Sequence, residues 1–446
     1  MKKLFSIVLV ASALVFTGCF KDDDTPIVIE ETTIINDNGS GGGDTGCAGS
    51  VIIKTGSLTE DETWTADNIY QLNKKVVVPN GITLTINPGT IIKGAPGTGT
   101  LASALIVARG GTINAQGTAE QPIIFTSTAD NITCGETAGT NLDQNDRGLW
   151  GGLLVLGNAP CSFSGDILEA QIEGIPAADT FGLYGGSNPN DSSGNLQYIS
   201  IRHGGALIGE GNEINGLTLG GVGAGTTISN IEVVANVDDG IEFFGGNVDA
   251  SNLLVWAQGD DALDIDQAYS GLIDNAVVVL GDISDHAFEI DGPEGSTPAG
   301  NEGSFTLQNC TIIGNTVTSN GEYADYRSRA RGTTRNIYAK GFKESSDVEL
   351  DNNAVSQNYL DGLLSFVAWE VSGDDNTMFI EKVGCAQNCD DEDDINNDDI
   401  DEPFITTFTN DAAAWTTTVG VDANTVGATT SELSWTYSNA KGGFGF

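Results

Sequence analysis

The sequence has few positive charges and almost no histidine. Its 446 residues include 18 Lys and Arg against 62 Asp and Glu, which gives a formal net charge of −44, and two His. Binding of nucleic-acid phosphates needs clustered Lys and Arg, so the composition argues against a nucleic-acid partner and favours cations or a basic protein surface. Solubility outside the cell is the simpler interpretation of the charge. Two histidines, neither near a Cys-x2-Cys motif, argue against a zinc site.

The sequence also lacks helical periodicity and several common catalytic motifs. Proline is scarce (11) and glycine abundant (59), with no Gly-X-Y period. This composition indicates a turn-rich β protein and excludes collagen. There is no Walker loop, no Gly-x-Ser-x-Gly and no Cys/His nucleophile arrangement, so the phosphate-binding and hydrolase classes that depend on them are not indicated.

One sequence phrase occurs three times between residues 237 and 292. It spans residues 238–243, 260–265 and 285–290. A second phrase keeps the same spacing and begins at Asn230, Asn252 and Asn275. Each unit holds two short apolar runs separated by Asp/Gly turns, and repeats of this length predict a solenoid. The pattern therefore predicts a parallel β-helix, in which each turn of the coil adds strands to long parallel sheets.

The chain divides into four predicted parts. Residues 1–18 form a lipoprotein signal peptide, because two lysines and a short apolar run precede a lipobox-like Phe16-Thr17-Gly18-Cys19. That run is too short to be a stable membrane span. Residues 19–49 form an acidic and Gly-rich tether that carries lipid on Cys19. Residues 50–370 form the β-helix, and residues 371–446 an acidic loop and a C-terminal cap.

Six cysteines remain once Cys19 is assigned to lipidation. An even number of cysteines in an exported protein predicts disulfides. The plausible local pairs are Cys134 with Cys161 and Cys385 with Cys389, although six cysteines allow fifteen pairings.

The repeated phrase places acids in two columns. Equivalent positions in the three copies hold Glu242, Asp264 and Glu289, and likewise Asp238, Asp260 and Asp285. The first set alternates with apolar residues that face the core, so its carboxylates face outward. Carboxylates on neighbouring turns, ~4.8 Å apart, repel by roughly 3 kcal/mol at an effective dielectric near 20. Such oxygen-rich columns suit Ca²⁺; the alternative is a solvated acidic face.

Several longer phrases carry a family resemblance. They are Ala104 to Gly111, Leu149 to Gly152, Ile199 to Gly205, Gly211 to Val222 and Asp239 to Gly246. In order and content they resemble a widespread group of exported right-handed β-helix proteins of Bacteroidota, often lipoproteins, with a pectate-lyase-like fold. The resemblance implies an all-β, right-handed parallel β-helix with N- and C-terminal caps. It brings no established activity.

The location follows from a second resemblance. Phe20-Lys21-Asp22-Asp23-Asp24, directly after the lipidated cysteine, resembles the acidic signal that directs Bacteroidota lipoproteins to the outer face of the outer membrane. We therefore expect a lipid-anchored protein that faces the cell exterior. A glycan or another outer-membrane protein, such as a TonB-dependent transporter, is the expected partner, and a binding or accessory role is favoured over catalysis.

The alternative is a polysaccharide lyase or glycoside hydrolase that acts on acidic polysaccharide. Arg202, His203 and Glu213 are its candidate catalytic residues, because an arginine beside acids can take a proton or hold a uronate carboxylate. An Arg-x-Lys motif of the polygalacturonase type is absent. The arginines between residues 327 and 335 are either a glycan or anion site or a set of charges that offsets neighbouring acids.

Overall fold

The computed structural model describes residues 34–35, 50–176, 179–207, 214–296, 303–316, 321–373, 378–387 and 400–446. The predicted signal peptide, Cys19, nearly all of the tether, Glu213, Cys389 and most of the acidic loop lie outside these ranges. Within them, none of the helices is long and apolar enough to cross a bilayer.

Strands make up most of the described chain. The first group is β1 (Ile34–Ile35), β2 (Val51–Ser57), β3 (Glu62–Trp64), β4 (Ile69–Val78), β5 (Thr83–Ile86), β6 (Ile91–Gly94), β7 (Ala104–Val107), β8 (Thr112–Gln116) and β9 (Ile123–Ser127). The second is β10 (Leu153–Leu156), β11 (Ala170–Gln171), β12 (Leu183–Tyr184), β13 (Gly194–Arg202), β14 (Leu217–Gly220), β15 (Thr227–Val234), β16 (Ile241–Phe244), β17 (Ala250–Trp256), β18 (Leu263–Asp266), β19 (Leu272–Val279) and β20 (His286–Ile290). The third is β21 (Phe305–Ile313), β22 (Glu322–Tyr326), β23 (Gly332–Lys340), β24 (Val348–Leu350), β25 (Leu364–Ser372), β26 (Phe379–Glu381), β27 (Cys385–Gln387), β28 (Ile400–Asp401) and β29 (Thr416–Val419).

Helices are few and short in the ranges that the structure describes. The α-helices are α1 (Asn353–Leu360), α2 (Phe408–Asp411) and α3 (Tyr437–Gly442). Single 3-10 turns lie at Gly99–Leu101, Ser164–Asp166, Thr180–Gly182, Ala412–Ala414 and Thr430–Leu433.

The strands wind into a parallel β-helix, which confirms the predicted fold. Short strands pair in parallel in one row, β4–β7–β10–β14–β16–β18–β20–β22–β24–β26. Longer strands pair in parallel in a second row, β13–β15–β17–β19–β21–β23–β25–β29. Three small pairs are antiparallel, namely β1–β2, β11–β12 and β27–β28.

The predicted register of the repeat is confirmed. Ile241 pairs with Leu263 and Leu263 with Phe288, one rung after another. All three side chains are fully buried in the main core cluster. Because neighbouring residues of a strand face opposite sides of the sheet, the acids between them face out of the coil.

The longer strands bend at a stack of asparagines. Asn230, Asn252, Asn275, Asn309 and Asn336 have φ values between 56° and 65°. Asparagine adopts this left-handed conformation more readily than most residues. The side chains also bond along the stack, with Asn275 Nδ2 donating to Asn252 Oδ1 at 2.7 Å and Asn336 Nδ2 to Asn309 Oδ1 at 2.9 Å. The second repeated phrase therefore marks a bend between two faces of the coil.

Aromatic side chains close both ends of the core. Near the first rungs, Trp64 and Tyr70 stack with ring centroids 4.7 Å apart. At the other end, Phe366, Phe379 and Trp415 pack together. The parallel ladder continues to β29, so the coil extends beyond the predicted boundary at residue 370.

The cysteine prediction is partly wrong. Cys161 is a free, buried thiol, so it does not pair with Cys134. Cys134 is itself disulfide-bonded. Cys310 is also free, and its side chain lies in the main core. The predicted pair Cys385–Cys389 cannot be placed, because Cys389 and the side chain of Cys385 lie outside the described residues.

The C-terminal segment runs back along the coil as a strap, residues 420–446. Thr425 N–H donates to Glu370 of β25, Ala428 N–H to Thr311 of β21 and Thr429 N–H to Asn275 of β19. From Thr425 to Thr429 the strap thus passes from β25 toward earlier rungs. Solenoid repeats otherwise contact mainly their neighbours, so the strap adds long-range coupling between rungs.

The strap is locked at a buried carboxylate. Glu232 is fully buried and accepts hydrogen bonds from Ser200 Oγ at 2.5 Å and from Ser438 N and Oγ at 2.7 Å each. Arg202 Nε donates to Ser200 Oγ at 2.7 Å, and its guanidinium lies 4.3 Å from the centre of the Tyr437 ring. Charge-assisted bonds of this kind are about twice as strong as neutral ones.

We predict that Glu232→Ala releases the strap. The change leaves the Ser200 and Ser438 donors buried without their acceptor and removes the negative charge beside the buried Arg202, which costs roughly 3 kcal/mol or more. Hydrogen–deuterium exchange should accelerate in residues 433–446 while β20 to β24 stay protected. Glu432→Ala, at an exposed strap position, is the control. If residues 433–446 of folded Glu232→Ala protein exchanged at the parent rate, Glu232 would not be what holds the strap in place.

Candidate cation-binding face

Five carboxylates form one unbroken outward column on the row of short strands. Glu242, Asp264, Glu289, Asp325 and Glu349 are paired in register from β16 to β24. We call this set the acidic column. Its first three members were predicted from the repeat. The last two come from strands whose sequences no longer match the repeated phrase.

Basic side chains neutralise one half of the acidic column. Arg327 forms ion pairs with Glu289 and, at 2.6 Å, with the neighbouring Asp291. Lys382 pairs with Glu349 at 2.5 Å. The interpretation of Arg327 as a charge that offsets neighbouring acids is therefore supported.

The other half holds a buried triad of carboxylates. Asp239, Glu242 and Asp264 each offer an oxygen, and these oxygens lie within 4.8 Å of one another. Their residues are 6–9% exposed. Ion pairs among the described residues of this face involve Asp261, Asp285, Glu289, Asp291, Asp325 and Glu349, but none involves the triad.

A long insertion covers the outward column on the rungs before the triad. The column reaches Glu242 through Ile106, Leu154 and Thr218, and its first two members are apolar. The insertion, residues 157–193, packs on those side chains through Phe163, Tyr184 and their neighbours in an outer apolar cluster that also includes Phe244. The cluster thus reaches the strand of Glu242, which is 6% exposed and whose pKa is raised by burial and by nearby acids that include Glu173 of the insertion.

Burial and mutual repulsion disfavour the ionised form of the three triad carboxyls. Burial raises the pKa of Asp239, Glu242 and Asp264 well above the usual carboxyl range. Neighbouring carboxylates raise each pKa further, with Asp264 acting most strongly on both Asp239 and Glu242. A bound cation would remove this penalty, because it favours the ionised form of every carboxyl around it.

The donor atoms fit a hard cation. Asp264 Oδ1 is buried and has no hydrogen-bond partner among the described residues, and the same holds for Oδ1 of Asn215. Asn215 is 1% exposed and donates its Nδ2 to Glu242. Three carboxylates beside an unsatisfied amide oxygen form the all-oxygen donor set that Ca²⁺ prefers.

The predicted metal-site residues separate into different environments. Glu242 and Asp264 belong to the triad. Asp238 and Asp260 lie beside Asp239, with oxygens of the three carboxylates within 4.8 Å of one another, but Asp238 is half-buried and Asp260 is exposed. Asp285 has a 44% exposed side chain, 4.0 Å from His286. Glu289 is neutralised by Arg327.

The predicted catalytic residues are not brought to this face. Arg202 is 2% exposed and belongs to the strap lock. His203 is 1% exposed, has φ 63° and bonds the Asp146 carbonyl through Nδ1 at 2.6 Å. Glu213 lies outside the described residues. Two buried side chains with protein partners give no support to a sugar-contacting role.

Sequence reasoning missed Asp239 as a donor and missed the pairing of Asp261 with His286. Asp239 was overlooked as a donor, although it is the second member of the Asp238-Asp239 pair. Asp261, the equivalent residue one rung later, accepts from His286 N at 2.7 Å and lies 2.9 Å from His286 Nδ1. The signal was the doubled aspartate, which the repeat places at the same turn in both rungs.

Asp325 predicts a pH dependence of stability. Burial, with help from Glu349 and Asp351, raises its pKa to about 7, whereas an unfolded aspartate has a pKa of about 4. The folded state binds this proton more tightly, so the stabilisation is full below about pH 4 and is lost as pH rises through about 7. In chelator, unfolding free energy should fall between pH 5 and 8.

Asp325→Asn isolates this contribution. The variant should match the parent at pH 4 and exceed its stability at pH 8 by roughly 2–4 kcal/mol, since one pKa unit corresponds to about 1.4 kcal/mol. Thermal or urea unfolding at both pH values measures the difference. Asp67→Asn, at an exposed position, is the control, and an equal difference at both pH values would refute the assignment.

Comparison with known proteins places the fold in a family. The profile of the pectate-lyase-like β-helix domain matches residues 56–430. A crystal structure of the pectin methylesterase from Aspergillus niger, in penultimately deglycosylated form, shares 12% identity over 80% of this chain and 93% of that chain, with a TM-score of 0.30. The deglycosylated form shares 12% identity over 75% and 88%, with a TM-score of 0.26. No curated protein matches the sequence. The chain belongs to the family of pectate-lyase-like β-helix domains.

Proposed function

We propose that the protein is a lipid-anchored, outward-facing outer-membrane protein with a binding or accessory role, stabilised by Ca²⁺ on its acidic face. Its partner is a glycan or another outer-membrane protein, such as a TonB-dependent transporter. The lipobox-like segment around Cys19 and the acidic residues after it support the location.

One observation carries the calcium part of the proposal. The triad gathers three buried carboxylates with no ion-pair partner in the described chain, while Arg327 and Lys382 pair with Glu289 and Glu349 further along the acidic column. Unpaired ionised carboxylates are rarely buried, because desolvation is costly. Asp239, Glu242 and Asp264 would hold the ion, which would supply the positive charge that this half of the face lacks.

Calcium should stabilise the chelated protein through the triad. At a free concentration of about 100 times its Kd, the gain is about 2.7 kcal/mol. Glu242→Gln should abolish most of this gain, because it removes one of the three charges. Calorimetric unfolding at pH 8, with EGTA and then with Ca²⁺, measures the difference.

Asp285→Asn is the matched control for Glu242→Gln. It removes a carboxylate from the same region at a side chain that is 44% exposed and outside the triad, so the calcium gain should persist. Identical unfolding curves with and without Ca²⁺ would reject the calcium site, as would an undiminished gain in Glu242→Gln.

The alternative function is cleavage of acidic polysaccharide. It is favoured by Asp261, whose carboxyl hydrogen-bonds Glu289 and whose pKa is raised by burial and by that bond. Paired carboxyls with His286 at 2.9 Å form an arrangement suited to general acid and base catalysis. This group, not Arg202 and His203, is the catalytic candidate that the geometry favours.

Gentle extraction from the native outer membrane separates the two functions. An accessory protein should co-purify with a membrane protein in fixed proportion, and Cys19→Ser should lose both membrane retention and the partner. If the protein is extracted without a partner, it would instead be incubated with acidic polysaccharides and assayed for cleavage products. Loss of such products in Glu289→Gln, with folding intact, would establish the enzyme and displace the accessory role.

A further inference from the structure

A polar pocket lies beside the coil, at turns outside the acidic column. Its volume is about 410 Å³, and its lining consists of Asn80, Arg109, Gly110, Asn158, Glu169 and Asp191. The volume falls within the ~300–1,000 Å³ range of small-molecule sites, but the lining lacks the apolar side chains that dominate most of them. We propose that this pocket binds one unit of a neutral glycan.

The pocket is built by three stacked turns and the insertion. Asn80, Arg109 and Asn158 each follow the end of a short strand by two residues, after β4, β7 and β10. These strands are paired in register, so the three side chains rise along one edge of the coil. Glu169 and Asp191 come from the insertion, residues 157–193, which completes the other wall.

The charged side chains of the pocket are held in place by the protein. Arg109 Nη1 donates to the Gly185 carbonyl at 2.9 Å and pairs with Glu169 at 2.6 Å. Asp191 Oδ2 accepts from the Asn158 backbone N–H at 2.9 Å. Within the described part of the chain, Nη2 of Arg109 and Oδ1 of Asp191 form no hydrogen bond, so the pocket presents oriented donors and acceptors.

Two asparagine amides are seated against glycines. A Cβ at Gly110 would lie 2.4 Å from Asn80 Oδ1, and one at Gly186 would lie 1.8 Å from Asn158 Oδ1. Neither amide forms a side-chain hydrogen bond with any residue that the structure describes. Each amide offers both donors and an acceptor, which matches hydroxyl groups that donate and accept at once.

The charges select against an acidic sugar. Arg109 is already paired with Glu169, and Asp191 adds a further carboxylate. A uronate would therefore bring its negative charge beside two acids and one neutralised arginine, and like charges at such distances repel. A neutral sugar meets the same groups without that penalty. The inference rests on the glycan arm of the proposed function, but it does not depend on the calcium site.

The test is a binding titration of the purified full-length lipoprotein in detergent. Neutral hexasaccharides of mannose, glucose and xylose are the probes, with hexagalacturonate as the acidic comparison, and isothermal titration calorimetry is the readout. We expect at least one neutral probe to bind in EGTA and in the Glu242→Gln variant. Arg109→Ala and the surface substitution Asn80→Ala should each weaken it at least tenfold, while Asn190→Ala, in the same insertion, should not.

The outcomes separate this pocket from the acidic face. Binding of a neutral probe that survives EGTA supports the pocket even if the calcium site fails. Preference for hexagalacturonate would overturn the inference and favour the polysaccharide-cleaving alternative. Failure of all three neutral probes would also overturn it, and so would undiminished binding in both Arg109→Ala and Asn80→Ala.

Discussion

The ~4.8 Å spacing of parallel rungs is the constraint on which the rest of the structure depends. A residue that recurs in the sequence recurs at that distance in space. Apolar recurrence is favourable, and Ile241, Leu263 and Phe288 stack into the core. Acidic recurrence is unfavourable, because outward carboxylates such as Glu242 and Asp264 repel their neighbours by roughly 3 kcal/mol at an effective dielectric near 20. The coil can therefore repeat its apolar residues freely, whereas each repeated charge requires a compensating group.

The acidic column shows how the compensation changes along the coil. The late rungs have basic side chains nearby, with Arg327 beside Glu289 and Lys382 beside Glu349. Asp285, which lies outside the acidic column, is compensated by solvent. The triad has neither, because its residues are 6–9% exposed and the insertion contains no lysine or arginine. A divalent ion places two positive charges at one point that three carboxyls can share. A lysine carries a single charge at the end of a flexible side chain and serves three carboxyls less well.

The sequence was sufficient to predict the fold and the strand register, because both follow from residues that recur at a regular spacing. The matching phrases aligned Glu242, Asp264 and Glu289, and strand alternation placed them outside the core. Burial of the column could not be predicted, since residues 157–193 contain no repeat and pack on it through tertiary contacts. For the same reason Arg202 resembled a catalytic residue. In the structure its guanidinium packs on the ring of Tyr437, which belongs to a strap more than 200 residues away in sequence. Pairing of Cys134 with Cys161 failed because proximity in sequence does not fix proximity across a coil.

Departures from the repeat are where this coil acquires distinct sites. A uniform solenoid presents the same surface at every rung, and so gives a ligand no reason to prefer one position. The insertion breaks that uniformity twice. Its apolar side chains cover the outward column on the rungs before Glu242, and its acids Glu169 and Asp191 close a pocket over the turns of earlier rungs. One non-repeating segment thus lies beside both the buried carboxylates that favour a cation and the oriented polar groups that favour a neutral sugar, on a scaffold that alone would specify neither.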